Sequence, residues 1–326
     1  VVLFCGVKFL FFLSLFFLTV LILQDKAAYF NVLLGILIGI GYGFYWLAFN
    51  VLTFEITEPY NRVFFNGLLG SLQSISGMVG PLLAGTIISN MKTNIGYMTI
   101  FSMSFTLFII AVILSFFIQR RETDGVYNVK AVIQQINKNR NWRNILFANL
   151  SQGIRDGIFI FVIPIWIFLT TNDEFSLGIF NLLMHGSSFI VFLLLTWLLK
   201  DSFRKRFIFI SSIVIAFSVV ILMFELHFYL LLIYALVIGI MVPVLLVPFQ
   251  SLTYDVIGKS YRARDLRIEY IVLLELFCNL GSIISIVIFI FGLKLFIKID
   301  PVPYMLAIFS LSYLFIYLFV RPLSIK

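Results

Sequence analysis

The chain has 326 residues, of which 62% are hydrophobic and only 12% are charged. Soluble domains carry about 25% charged residues, so this composition excludes a soluble globular domain. The formal net charge of +8 could suggest nucleic acid, but the basic residues are distributed as in a membrane protein, and we expect no nucleic-acid partner. Cys5 and Cys278 lie far apart without a CxxC pair, so neither a metal site nor a cofactor is predicted.

Apolar segments long enough to cross a bilayer, about 20 residues each, follow one another along the chain. We predict ten membrane-spanning helices joined by short loops, with one longer connection at 119–143. The ten segments are residues 9–24, 31–52, 64–89, 95–118, 144–170, 176–199, 207–224, 229–252, 268–293 and 303–320. The predicted fold class is therefore an all-α polytopic membrane protein.

The basic residues indicate how the chain is oriented. Of the 23 Lys and Arg residues, 18 lie on the set of loops and ends that includes 119–143 and the C-terminus, and four lie on the opposite set. Positively charged loops stay on the cytoplasmic side of a membrane. We therefore predict a multi-pass protein of the plasma or inner membrane, with this linker and the C-terminus in the cytoplasm.

The linker has apolar residues at helical spacing with Lys and Arg between them. These apolar residues are Val126, Val129, Ile133 and Ile136. The pattern predicts a basic amphipathic helix that lies on the cytoplasmic leaflet and joins two helical bundles. The predicted domains are 1–118, an N-terminal bundle; 119–143, the linker; and 144–326, a C-terminal bundle.

The sequence repeats itself at a spacing of 200 residues. Leu52–Ile56 (LTFEI) is matched by Leu252–Val256 (LTYDV), and an arginine follows the acid seven residues later in each copy, at Arg62 and Arg262. Internal repeats are typical of secondary transporter folds. A five-plus-five design is excluded because its repeat would be about 150 residues long.

Two segments resemble motifs of the major facilitator superfamily. Ser76–Gly85 (SGMVGPLLAG) is similar to the family's antiporter motif G-x-x-x-G-P-x-x-G-G. Trp197–Arg206 (WLLKDSFRKR) resembles its cytoplasmic loop motif G-x-x-x-D-[RK]-x-G-R-[RK]. The resemblance covers essentially the whole chain. Gly35 stands where proton exporters of the family have an arginine, which leaves an uptake permease as an alternative.

The resemblance implies two six-helix bundles related by a pseudo-two-fold axis, with about ten of the spans in this chain. Because the chain begins with Val1 and its first repeat copy lacks two spans present in the second, we expect about two further spans upstream. The implied function is alternating-access transport, with proton-coupled export of a small amphipathic or lipophilic solute.

The acids of the two repeat copies stand at helix C-terminal ends, where the helix dipole disfavours negative charge, so they need basic partners. We predict a cytoplasmic gate of ion pairs. Its candidates are Glu55, Arg62, Asp201, Arg204, Lys205, Arg206, Asp255 and Arg262. The alternative is that the basic cluster after Lys200 only anchors the protein at the cytoplasmic surface.

Polar residues form a stripe on one side of three predicted spans. A charge at the centre of a span costs about 2.5–3.5 kcal/mol, so such residues are candidates for function. The candidates for proton coupling or for lining a cavity are Asn149, Gln152, Arg155, Asp156, Asn181, His185, Glu275 and Asn279. The resemblance implies that these three spans line a central cavity.

Arg155 and Asp156 are neighbours that point about 100° apart, so we predict that they do not face each other. The resemblance implies that the spans of Arg155 and Glu275 are adjacent, and we expect an ion pair between these two residues, with Asp156 facing the cavity. A buried acid and His185 could then exchange protons. The alternatives are helix bracing by the arginine–glutamate pair and an ordinary hydrogen-bonded histidine.

Two further groups are candidates for the transport path. Tyr42, Tyr45 and Trp46 cluster on one span and could bind lipophilic cations, or serve as packing and interface anchors. In the antiporter-like segment, a proline with flanking glycines predicts a hinge and a tight helix contact, or else an ordinary packing face. These motif residues are Gly77, Gly80, Pro81 and Gly85.

Other classes of function fit less of the sequence. An enzyme would need a catalytic constellation on its loops, but the chain has only two histidines, no D-x-x-D pattern and short loops. A non-transporting receptor or scaffold would need neither the polar stripes nor the intramembrane Gly-Pro. We therefore predict a monomeric transporter of a small molecule, surrounded by lipid bilayer, with protons as the coupling ion.

Overall fold

The computed structural model describes residues 2–23, 29–91, 93–115, 117, 127–223, 227–295 and 302–323, and every regular element within them is helical. The helices are α1 (Val2–Leu23), α2 (Asn31–Ile56), α3 (Arg62–Asn90), α4 (Thr93–Ser115), α5 (Val129–Lys138), α6 (Arg140–Thr171), α7 (Glu174–Leu198), α8 (Arg204–Ser218), α9 (Phe228–Gly258), α10 (Arg267–Leu295), α11 (Val302–Ser310) and α12 (Ser312–Val320). Short 3-10 helices, Asp201–Phe203 and Val219–Met223, extend α8 at its two ends.

Within the described residues, eight segments are long and apolar enough to cross a membrane. They are Asn31–Ile56, Arg62–Asn90, Arg140–Thr171, Glu174–Leu198, Asp201–Met223, Phe228–Gly258, Arg267–Leu295 and Val302–Val320. Shorter apolar helical segments, Phe11–Val20 and Ile95–Ala111, lie within α1 and α4. The described part of each of the ten spans predicted from composition falls mainly on helical segments, and the span predicted at 303–320 is divided between α11 and α12.

The connection between α6 and α7 shows how local sequence sets helix ends. Asn172 ends α6 in the left-handed conformation, with φ of 49°, which asparagine tolerates better than most residues. Asp173 then caps α7, and its carboxylate accepts hydrogen bonds from the backbone N–H groups of Phe175 and Ser176. Consecutive spans are thus joined by a two-residue turn.

Helix α5 is the described part of the predicted linker helix. Asn128 caps it and Asn139 caps α6, each through a side-chain oxygen. Val132 is fully buried against the protein, whereas Ile133, which we predicted on the apolar face, is 48% exposed. Helix α5 packs on α6 and α10. Val126 lies outside the described residues, and the leaflet location stays a prediction.

The chain divides into two compact units, Val1–Ile56 with Ile87–Val126, and Thr57–Thr86 with Tyr127–Lys326. The first unit is built on a phenylalanine core of α1, in which Phe9, Leu13 and Phe17 pack against rings of α2 and α4. In the second unit, glycines allow the long helices to cross at close range. The domain boundaries predicted from the sequence stay a prediction.

Glycines set the α6–α10 and α7–α9 crossings in particular. A methyl group added at Gly153 would collide with the Cys278 carbonyl of α10, and one at Gly281 with the Leu150 carbonyl of α6. Gly239 of α9 lies equally close to α7, where the Ser188 hydroxyl donates to the Gly239 carbonyl over 2.9 Å. These contacts hold α6 close to α10 and α7 close to α9.

Candidate functional sites: an ion-pair cluster and an arginine–acid network

An ion-pair cluster joins the ends of three helices in the second unit. Asp255, near the end of α9, receives a different arginine on each carboxylate oxygen: Arg62 Nη1 lies 2.5 Å from Oδ1 and Arg204 Nη1 lies 2.7 Å from Oδ2. Arg204 also contacts Asp201, with 2.6 Å between Nη2 and Oδ1. Two arginines and two aspartates therefore form one connected, formally neutral cluster.

Burial makes this cluster more than a surface contact. Arg62 and Arg204 are each 4% exposed and Asp255 is 7% exposed, whereas the Asp201 side chain is 81% exposed. Both arginines are the first residues of their helices, and Asp255 is close to the end of α9. Each of these charges has the sign that its own helix dipole disfavours, so their stability depends on the pairing between them.

Four of the eight gate candidates meet in this cluster, and the others lie elsewhere. Lys205 donates from Nζ to the backbone carbonyls of Arg321 and Leu323, over 3.0 and 2.6 Å. Arg206 lies over the Phe203 ring at 5.8 Å. The remaining two are Glu55, which belongs to the first unit, and Arg262, which pairs with Asp265 on the surface.

Helix α3 runs along α7 through a row of glycines, which we call the α3–α7 seam: Gly67, Gly70, Gly77 and Gly85. Methyl groups at the first two would overlap Thr196 and the Phe192 ring of α7. A methyl at Gly77 would lie 2.7 Å from the His185 ring, and one at Gly85 would lie 2.8 Å from the Glu174 carbonyl. The seam thus extends over most of the length of both helices.

The antiporter-like segment contributes unequally to this seam. Gly77 and Gly85 lie on it, while among the described residues no atom outside the helix lies within 4 Å of a methyl group built at Gly80. Pro81 lies inside α3 without ending the helix, and its carbonyl would lie 3.2 Å from a methyl at Gly178 of α7. The motif therefore contains two glycines in tight contact with α7 and a proline that has no backbone N–H to donate.

An arginine–acid network lies in the middle of α6. Arg155, 4% exposed, donates from Nη2 to the Tyr234 hydroxyl of α9 over 3.1 Å. Its guanidinium lies 4.1 Å from the Phe159 ring centroid and 4.8 Å from that of Tyr313. Buried cations are commonly stabilised by aromatic faces and hydroxyl groups of this kind.

Asp156 completes the network. Its Oδ1 accepts a 2.6 Å hydrogen bond from the Tyr313 hydroxyl of α12 and lies 3.6 Å from Arg155 Nη1, while Oδ2 accepts from Gln152 over 3.2 Å. The Asp156 side chain is nevertheless 42% exposed. One carboxylate is therefore both accessible and connected to α6, α9 and α12.

The prediction that Arg155 and Asp156 do not face each other was wrong. Neighbouring Cβ atoms do point apart, but the arginine side chain is long enough to bring its guanidinium back to the adjacent carboxylate. The structure gives Arg155 an ion pair with Asp156, and the pair of Arg155 with Glu275 stays a prediction. Tyr234 and Tyr313 were missed by sequence reasoning, although an intramembrane tyrosine hydroxyl needs a polar partner and could have been considered on that ground.

Three asparagines of the predicted stripes donate hydrogen bonds within their own helices. The side-chain amides of Asn149, Asn181 and Asn279 each donate to the carbonyl four residues earlier, over 2.8, 2.9 and 2.8 Å. Glu275 is half-buried on α10 and His185 is half-buried against the seam. Their role in lining a cavity stays a prediction.

The aromatic candidates lie in the first unit. Tyr45 packs against Phe9, with 5.1 Å between ring centroids, and against Trp46 at 5.3 Å. Tyr42 is 46% exposed and Trp46 is 42% exposed, while Phe49 of the next turn contacts both Tyr45 and Trp46. The cluster is anchored on its inner side and presents two rings outward.

Comparison with known proteins gives these features a family. The sequence model described as Major Facilitator Superfamily matches residues 2–286. The chain belongs to the major facilitator superfamily. It is therefore a multi-pass membrane protein of a transporter family rather than of an enzyme family.

Two curated relatives are similar in sequence to all or part of the chain. The chain is 45% identical over 315 residues to "Uncharacterized protein YqgE" of Bacillus subtilis, which covers 97% of this chain and 73% of that protein. It is also 56% identical over 89 residues to "Uncharacterized protein in sodM 3'region" of Geobacillus stearothermophilus, covering 27% of this chain and 42% of that protein.

The fold likeness is to the "Crystal structure of a bacterial homologue of iron transporter ferroportin in outward-facing state", with a TM-score of 0.64 and 13% identity. It covers 98% of this chain and 83% of that one. The predicted fold class, an all-α polytopic membrane protein with the superfamily fold, is confirmed.

Proposed function

We propose that this chain is a secondary active transporter that works by alternating access and exports a small amphipathic or lipophilic solute in exchange for protons. The family supplies the transport function, and the residues described above support the finer assignments. The observation that carries the proposal is Asp156, an accessible carboxylate in the middle of a membrane span that is connected to a buried arginine.

The geometry around Asp156 supports a coupling role. A proton or a cationic solute on this carboxylate weakens its attraction to Arg155 and its acceptance of the Tyr313 hydroxyl proton. Arg155 then depends more strongly on Tyr234 of α9. Occupancy of one exposed acid would in this way change the contacts that hold α6, α9 and α12 together.

The ion-pair cluster supports a gate at the cytoplasmic side. When Arg62 separates from Asp255, the start of α3 loses this charged attachment to α9, and the charges become accessible to water. In the closed state of such a gate the charges are buried and paired, and in the open state they are separated and hydrated. An ion-pair cluster of this kind can therefore switch between two states. The α3–α7 seam would be the surface along which that movement begins.

The exposed rings of Tyr42 and Trp46 support a lipophilic or aromatic solute, because such faces attract apolar groups and cations. The iron named for the ferroportin homologue is not carried over, since 13% identity shows the fold alone. Among the residues that the structure describes, no three His, Cys, Asp or Glu side chains are grouped so as to hold a metal ion.

An uptake permease is the second candidate, and Gly35 favours it. The resemblance places an arginine at this position in proton exporters of the superfamily, whereas Gly35 has no side chain. Among the described residues, no neighbouring atom lies within 4 Å of a methyl group built on it. In that case the same alternating-access machinery would work in the opposite direction, and the antiporter-like segment would serve only helix packing.

The test uses the natural protein in energised inside-out vesicles that contain a pH-sensitive dye. A panel of lipophilic cations and small metabolites is added to the wild type, to Asp156→Asn and to Tyr313→Phe, which keeps the ring over Arg155 but removes the hydroxyl. Asp265→Asn, which removes an exposed loop acid, is the matched control. We expect solute-triggered proton release in the wild type and the control, and its loss in Asp156→Asn.

Two outcomes would contradict the proposal. Proton release that survives in Asp156→Asn would remove this acid from the coupling path. No release with any compound, combined with solute uptake by whole cells, would establish a permease instead.

A further inference from the structure

A strongly basic surface surrounds helix α5 and is not used by the proposed transport cycle. From residue 127 to residue 154 the sequence has no Asp or Glu. The same stretch has four exposed cations, Lys130, Lys138, Arg140 and Arg143. Such a run of one charge sign needs an explanation beyond solubility, because it includes the first turn of a 32-residue membrane helix.

Two hydrogen bonds bring a second basic segment beside the first. The Asn139 amide donates to the Ser260 hydroxyl over 3.5 Å, and the Asn128 backbone N–H donates to the Glu269 carboxylate over 2.7 Å. The N-terminal end of α5 is thus bound to the first turn of α10, and its C-terminal end is bound to the α9–α10 connection. Exposed cations of that connection are Lys259, Arg262 and Arg264.

Two acids of the second segment, Glu269 and Asp265, have defined partners. Glu269 is 2% exposed and already accepts from Asn128, so it contributes little to the outer surface. Asp265 is occupied by Arg262, with 2.9 Å between Oδ2 and Nη2. We call the seven cations Lys130, Lys138, Arg140, Arg143, Lys259, Arg262 and Arg264 the basic face.

The basic face also carries exposed apolar side chains. Tyr127 is 66% exposed and Ile133 is 48% exposed, whereas Val132, on the inward side of α5, is fully buried. Cations around a few exposed apolar groups are the composition of helices that lie at a lipid headgroup layer. A purely aqueous surface gains nothing from exposing these two side chains.

The start of α6 points to an anionic partner on independent grounds. Arg140 and Arg143 occupy its first turn, which contains no acid. The N-terminus of a helix already carries partial positive charge, so both arginines stand where their charge is disfavoured. A phosphate bound at this turn would be attracted by the arginines and by the helix end together.

We propose that the basic face binds the headgroups of anionic phospholipids and so holds α5 in its docked position. The helix ends that carry it, the start of α6, the end of α9 and the start of α10, lie on one side of the membrane because consecutive spans alternate in direction. Polybasic segments beside membrane helices bind anionic headgroups in this way. The proposal rests on the membrane assignment and is independent of the solute and of proton coupling.

The test measures thermal unfolding of the purified natural protein in neutral detergent with phosphatidylglycerol, phosphatidylcholine or inorganic phosphate added. The test variant is Arg140→Gln/Arg143→Gln. The control, Lys200→Gln/Arg321→Gln, removes two exposed charges outside the basic face. We expect phosphatidylglycerol to raise the unfolding midpoint of the wild type and the control, with an apparent affinity roughly 10- to 30-fold weaker in the test variant.

Added salt should reduce the phosphatidylglycerol effect, because these charges are exposed. Equal stabilisation by phosphatidylcholine, or an unchanged response in the test variant, would overturn the proposal. Stabilisation by inorganic phosphate alone would assign the face to a soluble anion instead. If the arginine variant does not fold, Lys130→Gln/Lys138→Gln on the exposed side of α5 gives the same comparison.

Discussion

Removing Asp255 from the ion-pair cluster is the perturbation that tests the gate most directly. In the structure its two oxygens are shared between Arg62 and Arg204, both of which are almost fully buried. Asp255→Asn removes the acid that both buried arginines share, and the other acid of the cluster, Asp201, is 81% exposed and contacts Arg204. Arg62→Gln is milder, because Arg204 then still pairs with both acids.

The magnitude follows from this asymmetry of burial. Breaking a buried pair by removing one partner costs about 3–5 kcal/mol, which corresponds to roughly a 10²- to 10⁴-fold shift away from the closed state if the charges are hydrated when open. Asp201→Asn should cost only about 0–1 kcal/mol, because its side chain is exposed. The double variant Arg62→Gln/Asp255→Asn leaves the Arg204–Asp201 pair and should lose less than Asp255→Asn alone.

The assay reports opening through a buried serine beside the cluster. Ser251 is 0% exposed and its hydroxyl accepts from Asn66 of α3 over 3.2 Å, so it becomes accessible only if α3 leaves α9. Ser251→Cys is introduced into a chain in which Cys5 and Cys278 are replaced by serine, and labelling by a water-soluble maleimide is timed. Labelling should accelerate in the order Asp201→Asn, the double variant, Asp255→Asn.

An exposed probe separates opening from general reactivity. Ser202→Cys, on the exposed turn before α8, should label at the same rate in every variant. If Asp255→Asn remains folded and Ser251→Cys still labels as slowly as in the parent, the cluster does not hold α3 against α9, and the gate reasoning fails. If both probes accelerate together, the variant is unfolding rather than opening.

Two further predictions concern folding and pH. Gly153→Ala should prevent formation of monodisperse protein in size-exclusion chromatography, because the added Cβ would lie well under 3.0 Å from the Cys278 carbonyl, closer than real Cβ atoms approach another heavy atom. Gly80→Ala is the control and should elute as the wild type does. Normal elution of Gly153→Ala would contradict the close crossing of α6 and α10. Burial raises the pKa of Asp173, but hydrogen bonds from the Ser176 backbone and hydroxyl and the Phe175 backbone outweigh it and lower that pKa overall. Asp173→Ala should therefore cost about 1 kcal/mol at neutral pH. The difference should disappear as the pH falls through the lowered pKa, because the cap's contribution is present above the unfolded value of about 3.9. Thermal unfolding at several pH values checks this, and a constant difference would argue against the cap.

The helices and the charged cluster were accessible to sequence reasoning for different physical reasons. A bilayer imposes a length and an apolar composition on every span, so segment boundaries could be read from composition alone. Asp255 and its arginines could be anticipated because each opposes its helix dipole and needs a partner. The seam residues Gly67 and Gly70 gave no such signal, since small residues in a span fit many neighbours.

The polar stripes show where sequence reasoning reached its limit. Periodicity places Asn149, Asn181 and Asn279 on defined helix faces, but it cannot tell that each amide donates to a carbonyl of its own helix. An asparagine whose donor is used in this way needs no partner across the protein for that group. Asp156 differs because a carboxylate has no proton to give to its own backbone and must receive hydrogen bonds from elsewhere. For this reason Asp156 accepts a hydrogen bond from Tyr313 of another helix. Binding of a proton or cation to Asp156 would therefore change contacts between helices.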